Sequence, residues 1–108
     1  MTGRDAPGAD HFVYVLRCGD GTFYTGYTTD VERRVREHAA GDGAKYTRGR
    51  APLELVHVEA FDSRSAAQSR EYEVKQYPRA RKERTVDEGG VPPWVDVPDD
   101  GASGTPER

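Results

Sequence analysis

The sequence predicts a mixed α/β (α+β) fold, in which helices flank a small central three-stranded antiparallel sheet in the order β-β-α-β-α-α. Three patterns favour this class: a strand–turn–strand pattern near the start, two later segments with helical apolar periodicity, and an apolar strand between them. The chain has 108 residues, of which 34% are hydrophobic and 32% are charged. One small domain with a modest core is therefore expected.

The first two strands are predicted to form a hairpin. Residues 12–16 and 23–25 are rich in β-branched and aromatic side chains, and the glycine-rich segment 19–21 separates them. A three-residue loop with Gly21 in the left-handed conformation gives a type I turn followed by a G1 bulge.

This loop length decides the face on which two tyrosines lie. It pairs Leu16 with Tyr24 and Tyr14 with Gly26 across the hairpin, and Gly26 leaves room beside the Tyr14 ring. Because side chains alternate between the two faces of a sheet, Tyr14 and Tyr24 share one face, whereas a two-residue loop would separate them. Tyrosine hydroxyls can hydrogen-bond an attacking water or a phosphate, but either ring could serve only in packing.

The first helix is predicted to begin after Thr29. This residue would be the N-cap of a capping box, with Glu32 at the third helical position. The helix should run to about Ala39 and stop at Gly41.

Arg34 and His38 lie on one flank of the apolar stripe of this helix, which consists of Val31, Val35 and Ala39. A guanidinium suits a phosphate whose charge grows in the transition state. The alternative for Arg34 is an i,i+4 ion pair with Asp30. The alternative for His38 is a half-buried packing role.

The loop at residues 41–50 contains candidate nucleic-acid-binding residues, namely Lys45, Tyr46, Arg48 and Arg50. Cations interleaved with an aromatic ring can hold a nucleic-acid backbone, although they could also be solvated loop charges. Residues 53–61 follow as the predicted third strand, and His57 is interpreted as a strand residue.

A second helix is predicted at residues 63–77, with Asp62 or Ser63 as its cap. Its predicted buried residues are Ala66, Ala67, Val74 and Tyr77. Glu71 lies at the edge of this arc. One carboxylate with water can hold Mg²⁺, and the alternative is a solvent-exposed ion pair between Glu71 and Lys75. A short last helix at residues 79–86 completes the domain.

The charges divide the chain into three parts. Residues 11–86 carry 14 Lys and Arg against 11 Asp and Glu, a net charge of +3, and form the predicted domain. Residues 1–10 are a predicted flexible arm of net charge −1. Residues 87–108 form a Gly- and Pro-rich tail of net charge −5, which we expect to be disordered and to weaken DNA binding.

Several classes of protein are excluded or disfavoured. The single cysteine, Cys18, cannot form an intramolecular disulfide, and no Cys/His spacing fits a zinc finger. No run approaches the roughly 20 apolar residues of a membrane span. Residues 1–10 lack the apolar segment of a signal peptide. A soluble, cytoplasmic protein without membrane contact is therefore expected.

The candidate residues match one known family in order and spacing. The chain resembles the GIY-YIG nuclease superfamily, above all its small single-domain members related to the nuclease subunit that cuts branched DNA. The resemblance covers residues 12–86 and rests on Tyr14, Tyr24-Thr25-Gly26, Thr29-Asp30, Arg34, His38, the loop Gly43-Ala44-Lys45-Tyr46-Thr47-Arg48-Gly49, and Arg70-Glu71.

This resemblance implies hydrolysis of phosphodiester bonds with a single Mg²⁺ or Mn²⁺. By position it makes Glu71 the metal ligand and Arg34 the residue that stabilises the phosphate. It places Tyr14, Tyr24 and His38 around the attacking water and the scissile group, and it leaves open which of them takes the proton.

The chain also departs from the family pattern. Val13-Tyr14-Val15 lacks the Gly and Ile of the name motif, and the chain has no Asn after Glu71, where many members have one. The cysteines of the zinc-binding domain in the branched-DNA nuclease are missing as well.

The expected function is that of a metal-dependent DNA endonuclease, acting on structured or damaged DNA as in repair. The alternative is a nucleic-acid-binding module, or an accessory subunit, with the same fold and little cleavage. A protein partner is left open.

Overall fold

The structure is a computed structural model that describes residues 10–41, 43, 47–93 and 95. Its elements in chain order are β1 (His11–Arg17), β2 (Phe23–Thr28), α1 (Val31–Ala39), β3 (Glu54–Phe61), α2 (Arg64–Lys75) and α3 (Arg79–Glu88). The strands form one antiparallel sheet with the order β2-β1-β3. The predicted fold class and element order are confirmed.

The β1–β2 turn has the predicted geometry. Gly21 has a φ of 86°, and its N–H donates to the carbonyl of Cys18 at 2.9 Å. The N–H of Cys18 donates to the carbonyl of Thr22 at 2.8 Å, which leaves three residues in the loop. As a result, Tyr14 lies opposite Gly26, as predicted.

The two faces of the sheet are covered by different helices. Val31 and Val35 of α1 pack on the face that carries Phe12, Tyr14 and Leu16. The other face carries Val15 and packs against Val86 of α3.

Helix α2 also covers this second face. Arg64 lies over the ring of Tyr27, and Arg70 binds Glu59. Tyr27 and Glu59 are the two cross-strand partners of Val13, so both side chains are on the face opposite Tyr14.

Helix α1 begins one residue later than predicted. Its N-cap is Asp30, not Thr29, and the Asp30 carboxylate accepts from the Arg33 N–H at 3.1 Å. Glu32 is therefore the second helical residue, and the predicted capping box is wrong. The helix ends as expected before Gly41, which has a φ of 87°.

The buried side of each helix differs from the prediction at one residue. In α1, Ala39 is exposed, and His38 is buried beside Val35 instead. In α2, Ser63 is the cap, while Ala66 is exposed. The predicted burial of Ala67 and Val74 is confirmed, and Tyr77 lies half-buried beyond the helix end.

Residues after the predicted domain end at residue 86 also contact the sheet and the core. Helix α3 extends to Glu88, and the carbonyl of Gly90 accepts from the N–H of Val58 at 3.1 Å. Val91 and Val95 then pack against the core on the α1 face. Contacts with the core therefore continue to residue 95, while residues 1–9 and 96–108 are outside the described range. In the part that the structure describes, no helix is long and apolar enough to span a membrane.

Candidate functional site

A buried hydrogen bond joins β1 to α1 at the centre of the site. The hydroxyl of Tyr14 lies 2.8 Å from Nε2 of His38. Only 1% of Tyr14 and 2% of His38 is exposed. Neither side chain can therefore contact a large substrate directly in this conformation.

Two glycines make room for this pair. A Cβ at position 26 would lie 2.5 Å from the Tyr14 hydroxyl oxygen, and a Cβ at position 43 would collide with the His38 ring. Gly26 is the last residue of the Tyr24-Thr25-Gly26 motif. Because the Tyr14 ring occupies the space where a Cβ would lie, only glycine fits at position 26.

His38 is held neutral by its surroundings. The pKa of His38 is lowered to about 4, mainly by burial and also by the positive charge of Arg34, while the negative charge of Glu37 raises it slightly. The second ring nitrogen, Nδ1, lies 2.9 Å from the hydroxyl of Thr47. A neutral imidazole donates from one nitrogen and accepts at the other, so one hydroxyl accepts and the other donates.

Tyr14 is also neutral. Burial raises the pKa of Tyr14, the nearby Tyr24 raises it further, and Arg34 acts in the opposite direction. A phenol in this environment does not lose its proton near neutral pH. Tyr14 can donate or relay a proton, but it does not act as a phenolate base.

Tyr24 is the more accessible aromatic member of the site. It is half-buried, and its ring centroid lies 5.3 Å from that of His38 and 6.2 Å from that of Tyr14. The predicted placement of the two tyrosines on one face is confirmed. The site thus has a buried layer, Tyr14 and His38, beneath a half-exposed one.

Arg34 belongs to the half-exposed layer. Its side chain is 31% exposed, and Nη1 donates to Oε1 of Glu37 at 2.9 Å. The alternative ion pair with Asp30 is not formed, since the Asp30 carboxylate caps the helix. Arg34 also interacts with the Tyr14 hydroxyl. Its guanidinium is therefore held above the buried pair.

Glu71 lies on the helix that covers the other face of the sheet. It is seven residues from Arg64, so the two project from nearly the same side of α2. Arg64 packs over Tyr27 of β2, and this places Glu71 on the β2 side, at the edge of the sheet. Its carboxylate lies 3.0 Å from Nζ of Lys75, and the side chain is 20% exposed.

The structure therefore groups four of the five predicted residues directly, and Glu71 approaches β2 from its opposite face. Similarity to known proteins shows the family to which the chain belongs. The family model described as the GIY-YIG catalytic domain matches residues 10–84. The chain belongs to the GIY-YIG family.

Relatives and solved structures agree with this membership. The UPF0213 protein of Natronomonas pharaonis is 70% identical over 83 residues, which are 76% of this chain and 98% of the relative. The solution structure of a UPF0213 protein from Bacillus halodurans is 56% identical, with a TM-score of 0.51 over 76% of this chain and 87% of that one. A protein of E. faecalis, also solved by NMR, is 48% identical, with a TM-score of 0.53 over 72% and 83% of the two chains.

A divalent ion would have few protein ligands in this GIY-YIG domain. The described residues contain no group of three or more His, Cys, Asp and Glu side chains that could hold a metal. Glu71 offers one shielded carboxylate, which suits Mg²⁺ because that ion keeps most of its water. This single hard-oxygen donor fits a hydrated ion that takes its other ligands from water.

The predicted nucleic-acid-binding loop is only partly described. Lys45 and Tyr46 lie outside the described residues. Arg48 is exposed, and Arg50 donates to the Asp20 carboxylate at 2.5 Å. Arg48 is thus open to solvent, while Arg50 binds the hairpin turn.

Sequence reasoning missed two features of the GIY-YIG domain. Thr47 belongs to the loop at residues 43–49 that matches the family, but the sequence does not predict its hydrogen bond with His38. His57 is not a plain strand residue, because it is buried and hydrogen-bonded to Glu59 at 2.7 Å, and Glu59 in turn binds Arg70. Only the unusual position of a histidine and a glutamate two apart in an apolar strand could have pointed to this network.

Proposed function

We propose that this GIY-YIG domain is a metal-dependent endonuclease that hydrolyses phosphodiester bonds in DNA. The observation that supports this most is the layered site, in which Arg34 and Tyr24 lie above the buried Tyr14–His38 pair. A cation and a hydroxyl at the surface can hold a phosphate, and a neutral imidazole below them can accept a proton.

In this mechanism Arg34 donates hydrogen bonds to the non-bridging oxygens of the scissile phosphate. Its fixed position over Tyr14 means that little reorganisation is needed as negative charge develops. Mutation of such a donor in other enzymes costs about 10²–10³ in rate. The partner Glu37 holds the guanidinium in place until the phosphate arrives.

Tyr24 orients the attacking water, and the buried pair accepts its proton. Tyr24 and Tyr14 are close enough to interact, and Tyr14 in turn contacts Nε2 of His38. If Nδ1–H of His38 donates to Thr47, Nε2 is free to accept a proton relayed through the two phenols. The low pKa of His38, about 4, keeps this nitrogen unprotonated before the reaction, and it also means that the imidazole holds the relayed proton only transiently.

Glu71 would hold the divalent ion at the β2 edge. Such an ion would supply positive charge that stabilises the reacting phosphate. The ion pair with Lys75 is exposed at its Lys75 end and can exchange for a cation without unfolding the helix.

A purified-protein assay tests this function. Branched, nicked and single-stranded DNA and RNA are incubated with Mg²⁺, with Mn²⁺ and with chelator. We expect cleavage of DNA only with the free ion, and its loss in Glu71→Gln, which keeps the shape of the side chain but not its charge. The matched control Lys75→Gln removes the partner and should cleave at least as fast as the parent. Equal cleavage by Glu71→Gln would contradict the metal role.

A second candidate is a nucleic-acid-binding module with little cleavage. The ion pair of Glu71 with Lys75 favours it, because a carboxylate that is already neutralised binds a cation less well. In that case the protein would bind the same DNA panel by fluorescence anisotropy, but chelator would have no effect and no product would form.

A further inference from the structure

A second polar network, which is partly buried, lies on the face of the sheet opposite Tyr14. Glu59 of β3 accepts two hydrogen bonds from the guanidinium of Arg70, at 2.9 Å from Nε and 3.0 Å from Nη2. The proposed function leaves this pair without a role. Paired donors and acceptors of this kind fix geometry more tightly than a single ion contact.

His57 extends this network to the C-terminal segment. The N–H of Gly90 donates to Nδ1 of His57 at 3.2 Å, so Nε2–H donates to Glu59 at 2.7 Å. Burial disfavours a charge on Glu59, yet the hydrogen bonds from His57 and Arg70 hold its pKa at about 2. The carboxylate is thus ionised and held by three donors.

The ion pair also determines how α2 is rotated about its axis. Ala67 and Val74 form the fully buried line of the helix. Arg70 and Glu71 flank this line on opposite sides, since they lie three and four residues beyond Ala67. Arg70 reaches toward β3, and Glu71 therefore faces β2.

The apolar contacts alone do not set this rotation sharply. Ala67 and Val74 are the two buried side chains of α2, and both are small, so a polar contact at the side of the helix adds to what fixes its rotation. A rotation of α2 about its axis that moves Arg70 away from β3 would also change the position of Glu71 relative to β2. The two hydrogen bonds from Arg70 to Glu59 oppose such a rotation directly.

We propose that the Arg70–Glu59 ion pair is a positioning device that holds the Glu71 carboxylate on the β2 side of α2, where it would bind a divalent ion. This inference rests on the proposed function, in which Glu71 is the metal ligand. Arg70 and Glu59 do not touch the ion or the substrate. They act through the orientation of α2, as outer partners of a metal ligand commonly do.

Mn²⁺ binding without DNA provides a readout that does not depend on cleavage. Free Mn²⁺ is measured by electron paramagnetic resonance for the full chain and for Glu59→Gln, Arg70→Gln and Arg70→Lys. We expect Glu59→Gln and Arg70→Gln to weaken Mn²⁺ binding about 10–100-fold, the usual range for outer partners of a metal ligand. Arg70→Lys keeps one donor and the charge and should recover part of the affinity.

Two controls separate positioning from general stability. Glu83→Gln removes the Arg79–Glu83 ion pair of α3 and should leave Mn²⁺ affinity unchanged. Val74→Ala destabilises the packing of α2 without touching the pair. If Val74→Ala weakens Mn²⁺ binding as much as Glu59→Gln at an equal loss of melting temperature, the positioning role is overturned.

Glu71→Gln distinguishes failure of this inference from failure of the proposed function. If Glu71→Gln binds Mn²⁺ like the parent, the metal role of Glu71 is wrong and the proposed function fails with it. If Glu71→Gln loses binding while Glu59→Gln and Arg70→Gln keep the parent affinity, only the positioning role fails. Loss in all three variants, with the Glu83→Gln control intact, supports both.

Discussion

The Tyr14 hydroxyl and Nε2 of His38 form a buried hydrogen bond of 2.8 Å that links the first strand to the end of the first helix. Buried polar pairs of this kind stabilise a fold only when both members are satisfied. Thr47 satisfies the second nitrogen of His38 at 2.9 Å. The same three groups that serve the proposed chemistry therefore also hold α1 against the sheet.

Stability should fall as the pH is lowered from about 6.5 to about 4, because His38 must stay neutral in the folded chain. Its pKa is lowered from 6.5 to about 4 by burial and by Arg34, so the unfolded chain binds more protons in this window. Above pH 6.5 the contribution is fully present, and it is lost as the pH falls to about 4. Urea denaturation at a series of pH values measures it.

The matched variant His38→Gln should flatten this part of the pH profile. Glu59 titrates in a separate window, because its pKa is lowered from 4.5 to about 2, and its contribution is lost only below pH 4.5. An unchanged slope between pH 6.5 and 4.5 in His38→Gln would show that another group controls the acid response.

Gly26→Ala should damage the site more than its small size suggests. The new methyl group would lie 2.5 Å from the Tyr14 hydroxyl and would force that ring away from His38. Overpacking of this kind costs about 1–3 kcal/mol of stability. We expect Gly26→Ala to lower the melting temperature and to reduce cleavage more than Tyr14→Phe does. A Gly26→Ala variant with the melting temperature and the cleavage rate of the parent would contradict the packing described for this strand.

Arg34→Ala should lower the cleavage rate about 10²–10³-fold, the scale for loss of one transition-state donor. Arg36→Ala is the control, because Arg36 is exposed on the same helix. Single-turnover rates at saturating enzyme separate the chemical step from binding. A loss below tenfold would mean that Arg34 serves mainly its ion pair with Glu37.

Local features of this chain could be predicted from sequence, since they depend on a few adjacent residues. Loop length and Gly21 were enough for the hairpin register, and from it the shared face of Tyr14 and Tyr24. The N-cap of α1 was missed by one residue because Thr29 and Asp30 are both good capping residues, and the path of the chain out of β2 selects between them.

Features that depend on packing between distant segments could not be predicted. The contact of His57 and Glu59 with Arg70 needs the docking angle of α2 on β3, which no periodicity encodes. Ala39 and His38 exchanged their expected environments because Tyr14 supplies a buried partner for the imidazole. A polar side chain takes a core position when such a partner exists.

The C-terminal part should contain two segments with separate effects, and truncation at two points tests this. Truncation after Val86 removes Gly90, which hydrogen-bonds to β3, and Val91 and Val95, which pack on the core, so the melting temperature should fall by several degrees. Truncation after Val95 removes only residues 96–108, with four acidic residues and one arginine. A tethered acidic segment competes with phosphate for the same cations, and salt screens charges beyond about 10 Å at 0.1 M. Truncation after Val95 should therefore tighten DNA binding, most at low salt, without a change in melting temperature. If the truncated and full-length chains bind DNA equally at low salt, residues 96–108 do not have this role.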